Sequence, residues 1–235
     1  MSRRHALVTG ANRGLGLEFA RQLLAAGDHV VAACRHPGKA TALNALAGEH
    51  PGRLHVLPLD LAQPRTHQEL ARELPLVLGD DARLGLLVNN AGILHPGERF
   101  GSLAAAGFED SFRTNALGPL LLTQALAPLL GDGARVANLS SSLGSIALTA
   151  RFGTPSYCMS KAALNMATVQ LAHALAGRGI VVVAISPGWV RTDMGGAGAE
   201  LDPAQAVAGM LRVIDGLGSG DSGRFLDWQG DTLAW

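Results

Sequence analysis

Val8-Thr9-Gly10-Ala11-Asn12-Arg13-Gly14-Leu15-Gly16 is the stretch on which the architecture turns. The apolar run 6–8 reads as a strand. Three glycines follow it, and apolar residues at helical spacing run from 15 to 26 before Gly27, a usual helix stop. Glycine lets the backbone turn tightly and lets an anion approach the N–H groups at a helix start. Strand, turn and helix in this order are what a dinucleotide pyrophosphate site needs. An ordinary glycine turn is the plainer reading of such a segment taken alone.

The same alternation continues along the chain. Apolar runs at 29–34, 54–58, 84–88, 135–139, 181–185 and 224–226 predict strands. Stretches 66–78, 108–130, 156–176 and 203–214 predict helices. Most of the runs are nearly continuous in apolar residues, as strands covered on both faces are. The prediction is an α/β chain with a single-domain Rossmann fold, a doubly wound parallel sheet of about seven strands with helices on both faces. Its ligand belongs beyond the carboxyl ends of the strands. No repeat, low-complexity tract or linker divides residues 1–235. Gly195-Gly196-Ala197-Gly198-Ala199 predicts a short mobile lid around 189–202 over the substrate.

Length and composition narrow the function. The 235 residues suit one such domain. At 48% hydrophobic and 16% charged, the chain has material for a core and no signature of disorder. A formal net charge of +0 argues against nucleic acid or an anionic membrane as main partner, since both need a basic surface. Two cysteines, Cys34 and Cys158, make no disulfide framework and point to a reducing, cytoplasmic setting. The start Met1-Ser2-Arg3-Arg4-His5 leads straight into the first strand, too short for a secretory h-region. The longest apolar run, 120–130, is broken by Thr123, Gln124 and Pro128 and falls short of the ~20 residues of a membrane span.

Two arginines bear on the choice of dinucleotide. The second strand ends at Cys34-Arg35-His36, where an acidic residue would take the ribose 2′-hydroxyl of NAD. Arg35, with Arg13 in the glycine turn, favours a 2′-phosphate instead, so the expected cofactor is NADP(H). Arg35 ending a strand in solvent is the alternative.

Tyr157-Cys158-Met159-Ser160-Lys161 lies in the predicted helix 156–176. Residues four apart share a helix face, so phenol and ammonium are neighbours. A free tyrosine titrates near ~10, and a nearby ammonium favours its phenolate. Tyr157 could then give a proton to a developing alkoxide or take one from an alcohol. A Tyr-x-x-x-Lys pair arises by chance. Here, though, Tyr157 is the chain's single tyrosine, and Lys161 is one of two lysines among 19 basic residues.

The Gly-x-x-x-Gly-x-Gly spacing, the Tyr157/Lys161 pair and four further motifs in the same order resemble the short-chain dehydrogenase/reductase family over essentially the whole chain. The resemblance implies that Gly10, Asn12, Arg13, Gly14, Leu15 and Gly16 hold the cofactor's phosphates, with Arg35 beside the ribose. Asp60, in Leu59-Asp60-Leu61, matches the adenine-contacting aspartate, with Leu61 beside it; an N-cap for the next helix is a compatible second role. Asn89-Asn90-Ala91-Gly92 matches a turn that supports the sheet and borders the cofactor through Asn89, Ala91 and Gly92. In Ser186-Pro187-Gly188-Trp189-Val190-Arg191-Thr192-Asp193-Met194, the residues Pro187, Gly188 and Val190 would pass the nicotinamide and Thr192 would bond its carboxamide.

For catalysis the resemblance implies Asn115, Ser141, Tyr157 and Lys161. Asn138-Leu139-Ser140-Ser141-Ser142-Leu143-Gly144-Ser145 matches the turn whose serine holds the substrate carbonyl. Register selects Ser141, with Ser142 the alternative because 150–154 looks like a small insertion. Asn115, in Phe112-Arg113-Thr114-Asn115-Ala116-Leu117-Gly118, is a poor interior helix residue and needs a reason to be there. It would hold a water chain to Lys161; a satisfied polar residue between helices is the other reading.

Gly144-Ser145-Ile146, Lys161-Ala162-Ala163-Leu164-Asn165-Met166, the 187–194 turn and Phe225-Leu226-Asp227-Trp228-Gln229-Gly230 look most like the C-factor and sniffer-type carbonyl reductases. The implied reaction is hydride transfer between nicotinamide and a carbonyl or alcohol, with Lys161 lowering the tyrosine pKa. Leu94, Leu143, Trp189 and Met194 are expected to line the pocket and to suit an apolar aldehyde, ketone or quinone. An NADP(H)-binding signalling or regulatory protein with incidental turnover is the alternative. An epimerase or dehydratase is a third reading, for which little chain follows the sixth strand. A homodimer through the helices around Asn115 and Tyr157 is implied by resemblance, and no metal is expected.

Overall fold

Alternate side chains of the first strand, β1 (His5–Thr9), enter two different cores: Ala6 and Val8 go to one, Leu7 to the other. The computed structural model describes residues 4–79 and 81–235. The Met1-Ser2-Arg3 part of the leader reading lies outside the described residues. Six more strands continue the pattern: β2 (His29–Cys34), β3 (Leu54–Pro58), β4 (Leu84–Asn89), β5 (Leu130–Leu139), β6 (Val181–Ser186) and β7 (Phe225–Asp227). All six pairings are parallel, in the order β3-β2-β1-β4-β5-β6-β7. The order reverses between β1 and β4, so their carboxyl ends open a crevice. The doubly wound α/β architecture expected from the sequence is present.

Helices α1 (Gly14–Ala25), α2 (Thr41–Glu49) and α7 (Pro203–Gly216) cover one face. On that face Phe19, Leu23, Leu43 and Met210 are fully buried. Helices α3 (Pro64–Leu78), α5 (Gly118–Leu126) and α6 (Pro155–Leu175) cover the other, with Leu70, Leu74 and Leu122 inside. Among the described residues, no helix is long and apolar enough to cross a membrane.

Two expectations change. Helix α2 was not anticipated. The predicted helix 108–130 is broken into α4 (Ala105–Phe112), a π-helical turn Arg113–Leu117, α5, and a 3-10 turn Ala127–Leu129, and Leu130 already belongs to β5. Pro119 has no N–H for the Asn115 carbonyl four residues back, so the ladder widens there. Gly118 lies against Leu61, whose carbonyl oxygen would stand 2.7 Å from an added Cβ.

Candidate active site

A cleft of about 360 Å³ opens where β1 and β4 diverge. Its floor is the turn after β1. Gly10 adopts φ +65 and Gly14 φ +53, conformations that disfavour a side chain. A Cβ on Gly16 would meet the Gly10 carbonyl oxygen at 2.3 Å, and one on Gly10 would meet the Ala91 Cα at 2.8 Å. The turn is therefore pressed onto the segment after β4, and its backbone is left facing the cleft. Thr9 fastens the two: its hydroxyl accepts the N–H groups of Asn90 and Ala91, both at 3.0 Å. The Asn90 side chain donates back to the Thr9 carbonyl at 2.8 Å. Gly10, Asn12, Arg13, Gly14 and Leu15 line this end.

The charged end holds Arg13, Arg35, Asp60 and Asp193. Both arginines line the cleft, where they would suit an anionic group. Arg13 is also engaged: its Nη1 lies 2.8 Å from the Asp193 carboxylate. Asp60 does not cap α3, whose N-cap is Gln63; its carboxylate accepts the Ala62 N–H at 3.0 Å within its own turn. Leu61, Ala91, Gly92, Pro187 and Thr192 complete the walls. The Thr192 hydroxyl accepts the Gly195 N–H at 3.2 Å, folding the 192–195 loop on itself.

At the far end, Tyr157 and Lys161 reach the cleft from the first two turns of α6. That helix starts with Pro155 after Thr154 in a left-handed conformation, φ 41. Thr154 does not cap it. Glu98 does, accepting the Ser156 N–H at 3.2 Å, and a carboxylate there suits the helix dipole. Burial pushes the Tyr157 phenol up to about 12, and a hydrogen bond with Ser141 pulls against it. Burial brings the Lys161 ammonium down to about 8. Its Nζ donates to the Leu139 carbonyl at 2.6 Å and sits 5.6 Å from the Tyr157 ring centroid. The expected lowering of the tyrosine by the lysine is thus not what this structure displays. The ammonium faces the ring and a carbonyl, and desolvation outweighs it.

The three serines after β5 separate by environment. Ser140 is buried, its hydroxyl donating to Asn165 at 2.6 Å. Ser142 is exposed, its N–H on the Ser186 hydroxyl at 3.1 Å. Ser141 is the one that pulls down the pKa of the Tyr157 phenol. Asn115 is fully buried in the π-helical turn. Its amide clamps the Ile93 backbone, accepting N–H and donating to C=O, each at 2.8 Å, and donates to Ser160 at 2.9 Å. A methyl on Gly92 would lie 3.3 Å from Asn115 Oδ1 and 3.6 Å from Lys161 Nζ, so Gly92 packs against both side chains.

Some residues stand beside the cleft rather than on its wall. Gly16, Asn89, Asn115, Ser141, Gly188 and Val190 do so. The Asn89 amide donates to Thr123 and Asn138, tying β4 to α5 and β5. Val190 is buried against Leu201 through an isolated bridge. Of the four apolar residues expected around the pocket, Met194 lines it, while Leu143 and Trp189 face solvent and Ile93 takes the place of Leu94. Asn90, Ile93, Asp110, Thr114 and Asp193 line the cleft and were not singled out in the sequence. Asn90 and Asp193 lay inside quoted motifs. Thr114 directly precedes Asn115 within its motif, and Asp110 lies five residues before it, about one turn of the π-helical register.

Residues 4–200 match the family model described as short chain dehydrogenase. Among curated proteins, C-signal of Myxococcus xanthus is 47% identical over 152 residues, covering 64% of this chain and 92% of that protein. Among solved structures, an NADPH-bound carbonyl reductase from chicken fatty liver has a TM-score of 0.94 at 38% identity and covers 100% of both chains. Carbonyl reductase Sniffer of D. melanogaster has a TM-score of 0.94 at 34% identity, covering 99% of this chain and 100% of that one.

Proposed function

The chain belongs to the short-chain dehydrogenase family, and from that premise we propose that it is an NADP(H)-dependent oxidoreductase that reduces the carbonyl of an apolar aldehyde, ketone or quinone, with Tyr157 as proton donor. The observation that carries the reading is one cleft lined by Arg13 and Arg35 and by the buried Tyr157 and Lys161.

The residues fit the cofactor. The glycine turn offers bare backbone where a pyrophosphate needs it. Arg13 and Arg35 would hold the 2′-phosphate, which an acid in place of Arg35 would repel. NADPH, when bound, supplies the hydride for the carbonyl carbon. Ser141 would hold the carbonyl oxygen beside Tyr157, whose phenol it influences. The phenol stays protonated at neutral pH, as a donor to a developing alkoxide must. Lys161 holds a positive charge against the ring, which favours the phenolate left behind. Asn115 fixes the backbone of Ile93, next to Gly92 on the cleft wall, and so supports the lysine's side of the site. The segment 189–202 would act as the lid, with Met194 facing substrate. The likeness to the chicken and Drosophila carbonyl reductases favours the carbonyl-reductase reading.

The test is NADPH consumption by purified protein over a panel of apolar aldehydes, ketones and quinones, with NADH as control. Oxidation that requires NADPH supports the proposal. Tight NADPH binding with no turnover across the panel contradicts it and favours an NADP(H)-binding signalling protein, a reading to which the likeness to C-signal lends weight.

A further inference from the structure

The chain's last residues reach back to the turn that carries Ser141. After β7 the chain reverses on Asp227, whose carboxylate accepts the N–H groups of Gln229, Gly230 and Asp231, each at 2.9 Å. It then returns along the sheet edge. Leu233 N–H donates to the Phe225 carbonyl at 2.9 Å, and the Arg224 guanidinium bonds the Thr232 hydroxyl. The Trp235 ring stacks on Phe225 with centroids 5.3 Å apart at 21°. Phe225 is 1% exposed, so the stack is anchored in the core.

From there the tail meets residues 145–148. The buried Ser145 hydroxyl donates to the Ala234 carbonyl at 2.7 Å and accepts the Leu148 N–H at 3.0 Å. Ala147 N–H donates to the Trp235 carbonyl at 2.9 Å. The preceding turn, 142–144, is fixed from the other side. Gly144 lies so close to α6 that a Cβ would meet the Lys161 Cβ at 2.8 Å, and Asn165 donates to its carbonyl at 3.3 Å. Ser141 caps this turn, its hydroxyl accepting the Leu143 N–H at 3.2 Å. Between the two anchors the loop carries Leu143, Ile146 and Leu148, all exposed. An apolar stretch held out in water beside Ser141 is a ready surface for an apolar substrate.

We propose that residues 231–235 are a positioning strap for the substrate side of the cleft: through Ser145 they fix the turn of Ser141 and the apolar loop 143–148, and so set affinity for the carbonyl substrate rather than for the cofactor. The inference rests on the reductase reading and on Ser141 as the carbonyl-holding serine. Trp235, Ser145 and their neighbours are positioning residues, since none lines the cofactor cleft.

The test uses Trp235→Ala, Trp235→Phe and Ser145→Ala in the full chain, with a quinone as substrate. Trp235→Ala should raise the quinone KM roughly two- to tenfold, the worth of a stacked aromatic pair, and leave the NADPH Kd within about twofold. Trp235→Phe keeps a ring on Phe225 and should restore the KM, and Ser145→Ala should reproduce the defect. Amide hydrogen exchange should accelerate from 145–149 into 142–144 in the two alanine variants. An unchanged KM, or a loss of NADPH affinity in step with it, overturns the strap. Should the wild type reduce no carbonyl compound, the reductase reading falls by itself. Exchange then decides the strap: acceleration that reaches 142–144 supports it, and acceleration confined to 145–149 overturns it.

Discussion

Lys161 Nζ lies 5.6 Å from the centroid of the Tyr157 ring and donates its short hydrogen bond, 2.6 Å, to the carbonyl of Leu139 rather than to any carboxylate. A buried ammonium with no carboxylate partner is held against its own desolvation. The lysine therefore serves the site at a cost in stability.

Keeping Lys161 charged at neutral pH, against a pKa of about 8 where 10.5 is ordinary, costs about 3 kcal/mol. Lys161→Met should recover part of this, less about 1 kcal/mol for the Leu139 carbonyl it leaves without a donor. The sign follows from proton binding: the folded state binds this proton more weakly than the unfolded state. The cost is thus complete below about pH 8 and vanishes above about 10.5. Thermal unfolding at pH 7 should show the variant with a higher Tm and no reductase activity. A lower Tm at pH 7 would contradict the assignment of Lys161 as a destabilising buried charge.

The same values set the pH profile. Tyr157 remains protonated until about pH 12, so the proton donor is not lost in the working range. Lys161 loses its charge near pH 8 in the free protein. Since kcat/KM reports the free enzyme, the kcat/KM for NADPH in carbonyl reduction should fall as pH rises through about 8. A profile flat from pH 6 to 10 would exclude the lysine charge as a contributor.

Arg13 and Arg35, both on the cleft wall, are the residues proposed to hold the 2′-phosphate of NADPH. Arg35→Ala should weaken NADPH roughly 10- to 100-fold, as loss of a charge-assisted contact does, and leave NADH nearly unchanged. Asp193, 2.8 Å from Arg13, lines the same cleft and would repel that phosphate. Both partners are largely exposed, so the effect is small. Asp193→Asn should tighten NADPH roughly two- to fivefold without changing NADH. Coenzyme titrations by fluorescence distinguish these outcomes from a general loss of binding.

Gly144→Ala tests the contact that sets Ser141 against α6. The new Cβ would stand 2.8 Å from the Lys161 Cβ, so turn or helix must shift. Displacement of the reacting hydroxyls should lower kcat by roughly 10²-fold with NADPH affinity retained. Unchanged kcat would show that the turn yields without moving Ser141.

Much of this was legible in the chain and some was not, for physical reasons. The seven strands announce themselves because strands buried on both faces are continuous apolar runs, as 29–34 and 181–185 are. Tyr157 and Lys161 share a face because helical periodicity is local. Non-local relationships were not readable. Arg13 and Asp193 are 180 residues apart, and nothing in either motif says that they pair. The break at Asn115 was signalled by Pro119, yet the apolar pattern around it runs on through the break. The tyrosine's raised pKa depends on how deeply Tyr157 is buried, which spacing does not encode.

The most direct test of the central claim is the Tyr157→Phe variant, with NADPH binding and carbonyl reduction measured on the same protein. Removing the hydroxyl leaves the ring, and with it the cofactor cleft. The account predicts an NADPH Kd within about twofold of wild type and a kcat lower by roughly 10²- to 10⁴-fold, the range for loss of a general acid. Reduction at close to the wild-type kcat with normal NADPH binding would contradict it and remove Tyr157 from the proton transfer.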